Sequence, residues 1–117
     1  MKRYCLAVDL KNNPQLISEY EAYHKDIWPA IRESIIGAGI TVMDIYRVEE
    51  RLFMIMETDD DFTFERKKQM DEDNPVVQQW ETMLWKFQQV IPGAAPGEKW
   101  RLMDQIFTLN KTYKWIL

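Results

Sequence analysis

The sequence predicts a single α+β domain whose elements run β-α-β-β-α-β. Three observations carry that reading. Four stretches, at 3–10, 40–48, 52–58 and 101–109, have the length and the aliphatic and aromatic content of strands. The intervals after the first and third place apolar residues three and four apart, as one face of a helix requires. Each of those intervals also contains an Asn-Pro pair, Asn13-Pro14 and Asn74-Pro75, which reads as a cap followed by proline at the first helical position.

The first strand, RYCLAVDL, stops at the polar run Lys11-Asn12-Asn13. From Pro14 onward, Leu16, Tyr20, His24, Ile27, Ile31 and Ile35 fall on one helical face. Pro29 restricts Trp28 and lacks the N–H that a continuous helix needs, so a break is expected near 26–29, with a second helical piece ending at Gly37 or Gly39. Strands 40–48 and 52–58 are joined by Glu49-Glu50-Arg51, short enough for a hairpin. The second of them, LFMIMET, is apolar enough to be covered on both sides. Asp59-Asp60-Asp61 is read as opening a helical segment, since acids suit a helix N-terminus. After Asn74-Pro75, Val76, Val77, Trp80, Met83, Leu84 and Phe87 keep helical spacing. PGAAPGEKW is a loop, RLMDQIFTL the last strand, and 110–117 an apolar tail expected to pack on something. The result is the split βαβ, or ferredoxin-like, pattern: a four-stranded antiparallel sheet with helices on one face. A second sheet face, if apolar, would need a second subunit or a ligand.

The composition narrows the function. The chain has 117 residues, enough for one core and one domain. Its net charge is −4, and its one basic triplet, Arg66-Lys67-Lys68, is flanked by Glu65, Asp71, Glu72 and Asp73. That argues against nucleic acid and against an anionic membrane surface. No apolar run approaches the ~18 residues of a membrane span, and no signal peptide is legible. A single cysteine, Cys5, rules out an intramolecular disulfide, suits a cytoplasmic protein and reads as a buried small apolar residue. One His and one Cys give no metal-ligand spacing, so no metal is expected. Four scattered glycines make no phosphate cradle.

One residue stands out chemically. His24 is the only histidine, and histidine alone has an unperturbed pKa near neutrality. It lies one helical turn after Tyr20, so the two side chains share a face. Spacing alone fits a packing histidine as well as a proton-transfer one. Trp80, Trp85 and Trp100 suit either a core or a surface that stacks on a ligand. Composition and spacing thus reach a cytoplasmic α+β domain with one acid/base candidate.

The stretch YEAYHKDIWPAI resembles the signature of the L-rhamnose mutarotase family, a Tyr, three residues, a His, then Ile-Trp-Pro after a first strand. The resemblance continues through GAGITVMDIYRVEERLFMIMET, VVQQW and LMDQIFTL, and covers about residues 3–109, leaving 110–117 as a tail. It implies a homodimer of ferredoxin-like subunits closed into an αβ barrel. It implies an isomerase that needs no cofactor and interconverts the α and β anomers of L-rhamnose or a related 6-deoxyhexose such as L-fucose. The family's proton-donor histidine falls on His24, its substrate tyrosine on Tyr20, and the first residue of its sugar-binding Trp-Trp pair on Trp80. Two positions depart: the second Trp of that pair is Glu81, and a substrate tyrosine of the second strand is Met43. Trp85 and Tyr46 are candidates to compensate. The same departures fit an alternative, a non-catalytic carbohydrate-binding or assembly module on the same fold, whose signature is sugar binding without anomer exchange.

Overall fold

A computed structural model describes residues 1–95 and 98–110. The elements are β1 (Lys2–Leu10), α1 (Pro14–Lys25), α2 (Pro29–Gly37), β2 (Ile40–Val48), β3 (Arg51–Thr58), α3 (Phe64–Glu72), α4 (Pro75–Trp85), β4 (Gln88–Gln89) and β5 (Arg101–Leu102). The sheet is antiparallel, in the order β2-β3-β1-β4, with β5 also on β1.

Both Asn-Pro pairs do what their chemistry dictates. The Asn13 side chain accepts from the Leu16 N–H, and that of Asn74 from Val76 and Val77, filling donors that a helix start leaves open. The break at 26–29 is present. Asp26 and Trp28 leave helical geometry, and Pro29 starts α2. The α2 helix stops at Gly37, and Gly39 follows at φ +95. Three expectations shift. The acidic run 59–61 does not open a helix. Thr63 does, its side chain accepting from the Arg66 N–H. Cys5 is half-buried rather than buried, because it faces outward beside Ile55 while Leu6 turns inward beside Met54.

The third change is at the fourth strand. Residues 101–109 were expected to extend along β1, but only Arg101 and Leu102 pair there, with Met103 N–H adding one bond to the Cys5 carbonyl at 2.7 Å. The same edge of β1 is occupied further along by β4, which pairs with Asp9 and Leu10. Two short strands, β4 and β5, tile the place of one, so five strands stand where four were expected. Beyond them Ile106 is 96% exposed among the described residues.

The barrel expectation is overturned. The sheet is open, with β2 at one edge, β4 and β5 at the other, and no pairing between the two edges. Closure needs the two edges of the sheet to pair, and here the far edge offers, among the described residues, strands of only two residues each. The ferredoxin-like layering itself holds. Val8, Leu10 and Leu52 from the sheet bury together with Tyr20, Ile31, Val77, Trp80, Leu84 and Phe87. A second cluster joins Leu6, Met54 and Met56 to Ala38, Ile40 and Phe62. The helices therefore cover the face bearing Leu6, Val8, Leu52, Met54 and Met56. Among the described residues no helix is long and apolar enough to cross a membrane. The expected packing of the tail falls on 111–117, outside the described residues.

Candidate active site

The covered side of the sheet holds a cavity of about 920 Å³, within the size of small-molecule sites. It is lined from α1, α2 and α4 and by inward-facing residues of β2 and β3. Tyr20, His24, Met43, Trp80 and Glu81, the five positions singled out in the sequence, all line it. The rest of the wall mixes apolar side chains such as Ile27, Ile31, Leu52 and Met56 with charged ones such as Glu21, Lys25, Arg47 and Asp71.

Tyr20 and His24 lie one turn apart in the second half of α1. Their rings stack, with centroids 4.2 Å apart and planes at 27°. His24 Nδ1 lies 2.9 Å from the Tyr20 backbone carbonyl. A carbonyl oxygen only accepts, so Nδ1 carries the proton, and in the neutral ring Nε2 keeps the lone pair. Burial pushes the His24 pKa below its ordinary value, opposed by the hydrogen bond to the Tyr20 carbonyl. The imidazole is therefore neutral at physiological pH, half-buried and on the cavity wall. Tyr20 is 3% exposed. Burial raises its phenol to about 12, and a hydrogen bond from the Gln88 side chain works against that rise. The phenol stays protonated and remains a donor.

Trp80 meets both ends of the kinked segment. Its ring centroid is 5.6 Å from that of His24 and 4.9 Å from that of Trp28. It is also part of the core, so a packing role and a place on the wall coexist in one residue. Glu81 follows it on the wall, and its backbone carbonyl accepts from Lys99 Nζ at 3.1 Å. Burial lowers the Lys99 pKa, and the Glu81 charge opposes that. Met43 presents a thioether opposite Met56 in the β2–β3 register. Of the two proposed substitutes, Tyr46 is among the lining residues but sits on the edge strand opposite Phe53, on the outward sheet face, and is largely exposed. Trp85 is 40% exposed and lies under the Lys99 ammonium instead. Gln88 also lines the cavity and was not legible beforehand. It lies in a two-residue strand with no motif around it. Among the described residues, no group of three or more His, Cys, Asp or Glu could hold a metal.

A family model described as L-rhamnose mutarotase matches residues 3–109. The chain belongs to the L-rhamnose mutarotase family. As a member it is a cofactor-independent sugar mutarotase of the 6-deoxyhexose class. Similar proteins include an L-fucose mutarotase of Xanthomonas campestris pv. campestris, 39% identical over 113 residues that cover 95% of this chain and 90% of the relative. Among solved structures, an L-rhamnose mutarotase from Formosa agariphila superposes with a TM-score of 0.69 at 16% identity, covering 94% of this chain and 100% of its own. Tetracenomycin F2 cyclase from Streptomyces glaucescens superposes at 0.60 with 14% identity, covering 100% of this chain and 99% of the cyclase. At that identity the likeness is one of fold, and a fold hosts unrelated chemistries. It is the sequence match that separates this mutarotase-family chain from the cyclase.

Proposed function

We propose that the cavity beside His24 interconverts the α and β anomers of L-fucose or L-rhamnose, with His24 as general acid/base and Tyr20 assisting. The observation that carries this reading is the His24 tautomer: a neutral imidazole with Nδ1–H donated to the Tyr20 carbonyl and Nε2 left basic. Nε2 takes the proton of the anomeric hydroxyl as the bond from C1 to the ring oxygen breaks. The imidazolium then returns that proton to the ring oxygen, which had been bonded to the same carbon. The product is the open-chain aldehyde, with no net change in protons or electrons. Rotation about C1–C2 presents the other carbonyl face, and the two transfers reverse. The Tyr20 O–H, protonated to about 12, donates a hydrogen bond to the oxygen gaining negative charge. One positioned acid/base of this kind contributes roughly 10²–10⁴-fold.

A neutral pyranose offers hydroxyls, C–H faces and, in a 6-deoxyhexose, a methyl group. The Trp80 ring suits a C–H face, Met43 the methyl group, and Glu81 a hydroxyl. Met43 and Glu81 depart from the rhamnose pattern, and a 39%-identical relative acts on L-fucose. Both favour L-fucose as the better substrate. The single free cysteine, Cys5, is in keeping with a cytoplasmic location.

A homodimer belongs to the same reading. The outward sheet face carries Ala7, Phe53, Ile55 and Tyr46, and 57% of Tyr46 is exposed. A second copy would cover it.

Saturation-transfer NMR on L-fucose and L-rhamnose tests the activity. Anomer exchange faster than in buffer is expected, with His24→Ala losing about 10²-fold or more. A His24→Ala protein that exchanges as fast as the wild type would remove His24 from the chemistry. Sugar binding without exchange would turn the reading to the non-catalytic module.

A further inference from the structure

Gln88 is 5% exposed and lines the same cavity as Tyr20 and His24. Its Oε1 is the one buried side-chain oxygen or nitrogen among the described residues that lacks a hydrogen-bond partner. Leaving a buried acceptor unpaired is unfavourable, so its presence calls for a donor that arrives from elsewhere. The Gln88 side chain also lies near enough to the Tyr20 phenol to oppose the rise in its pKa.

We propose that Gln88 is a substrate-binding residue of the sugar site, its carboxamide bridging the Tyr20 hydroxyl at one end and a hydroxyl of the bound deoxyhexose at the other. This rests on the mutarotase reading of the cavity. Three features make it specific to a polyol. The wall's other polar groups are mostly charged or exposed, among them Glu21, Lys25, Arg47 and Asp71, whereas Gln88 offers a buried, neutral carboxamide. The orphaned atom is neutral, which matches an uncharged ligand and would waste little on an ionic one. A sugar hydroxyl both donates and accepts, so the bridge forms with either end of the amide turned toward Tyr20. The strand context supplies rigidity. Gln88 is held in register opposite Leu10, and Phe87 beside it is fully buried against the Tyr20 ring. The anchor and the phenol it orients are therefore built on two elements locked by the same core.

The test compares wild type and Gln88→Met in anomer-exchange NMR, using L-fucose, L-rhamnose and monodeoxy analogues that each lack one ring hydroxyl. Methionine keeps the length and removes the polar atoms. Its kcat/KM should fall about 10-fold or more, chiefly through KM, while the melting temperature holds or rises because the orphan is gone. Wild type should also discriminate by about 10-fold against one analogue, and Gln88→Met should lose that discrimination. A purely structural glutamine would not move that ratio. In wild type itself, the Gln88 side-chain amide resonances should shift on titration with the sugar, a readout independent of whether the variant folds. Equal kcat/KM, unchanged analogue ranking in the variant, or amide resonances that do not move would each overturn the assignment while leaving the mutarotase reading intact. Wild-type protein that exchanges no deoxyhexose would overturn both.

Discussion

His24 is the residue where sequence and structure meet most directly. Its rarity and its spacing from Tyr20 were legible, because both follow from identity and helical period alone. Its tautomer was not, since that depends on one 2.9 Å hydrogen bond to a carbonyl. The direction of its pKa was not legible either, since it is set by what α4 and the sheet lay over it. Gln88 was invisible for a related reason: a glutamine acquires meaning only when burial strips it of water. These settings fix a pH profile. The His24 pKa lies below 6.5, and the base form is the active one. kcat/KM should therefore rise with pH, reach half its plateau below pH 6.5, and stay flat into the alkaline range, because Tyr20 holds its proton to about 12. A profile still rising above pH 7.5 would assign the base to another group. The same depressed pKa has a stability sign. Neutral His24 in the fold contributes stability that is complete above the unfolded value near 6.5 and lost as pH falls through the folded one.

At the scale of elements, local chemistry was legible where it acts over two to four residues. Asn13-Pro14, Asn74-Pro75 and the Trp28-Pro29 break all sit where steric and capping rules put them. The start of α3 was displaced to Thr63 because acids favour a helix N-terminus only weakly by charge, whereas a hydroxyl that accepts from the Arg66 N–H satisfies a specific donor. The end of α2 gives a sharp contrast between neighbouring glycines. A Cβ on Gly39 would lie 2.7 Å from Asp59 Oδ2 at a φ of +95, whereas one on Gly37 meets nothing within 4 Å. Gly39→Ala should cost about 1–3 kcal/mol of unfolding free energy. Gly37→Ala, at the exposed helix end, should be neutral or stabilising by up to ~1 kcal/mol. Urea denaturation of the two variants checks this. Equal midpoints would mean that neither the backbone conformation nor the Asp59 approach constrains the turn.

At the scale of the molecule, strand order was legible because connections and apolar runs fix it, while edge behaviour was not. The last strand reads as nine residues of good alternation, yet it pairs over two, since pairing needs a partner edge, and part of that edge of β1 is already taken by β4. The outward sheet face is where this unfinished packing matters. Across it, β1, β3 and β2 align Ala7, Phe53 and Tyr46 in one row and Cys5, Ile55 and Asp44 in the next. The ion pairs Arg51–Asp9 and Arg3–Glu57 close the two ends. Apart from the exposed Asp44, this is an apolar centre rimmed by paired charges, the layout of a protein–protein interface. Burying it against a copy of itself would remove Phe53 and Tyr46 from water in both subunits at once, as two-fold symmetry requires. Sedimentation equilibrium should accordingly give twice the 14.1 kDa chain mass. Phe53→Lys should shift the protein toward monomer with its helical circular dichroism retained, because a lysine on this face can extend its ammonium to water once the partner is gone. A wild-type protein that sediments as a monomer at micromolar concentration would rule the interface out. A Phe53→Lys protein that remains dimeric would place the contact elsewhere, with Ile106 and Phe107, both largely exposed, as the next surface to change.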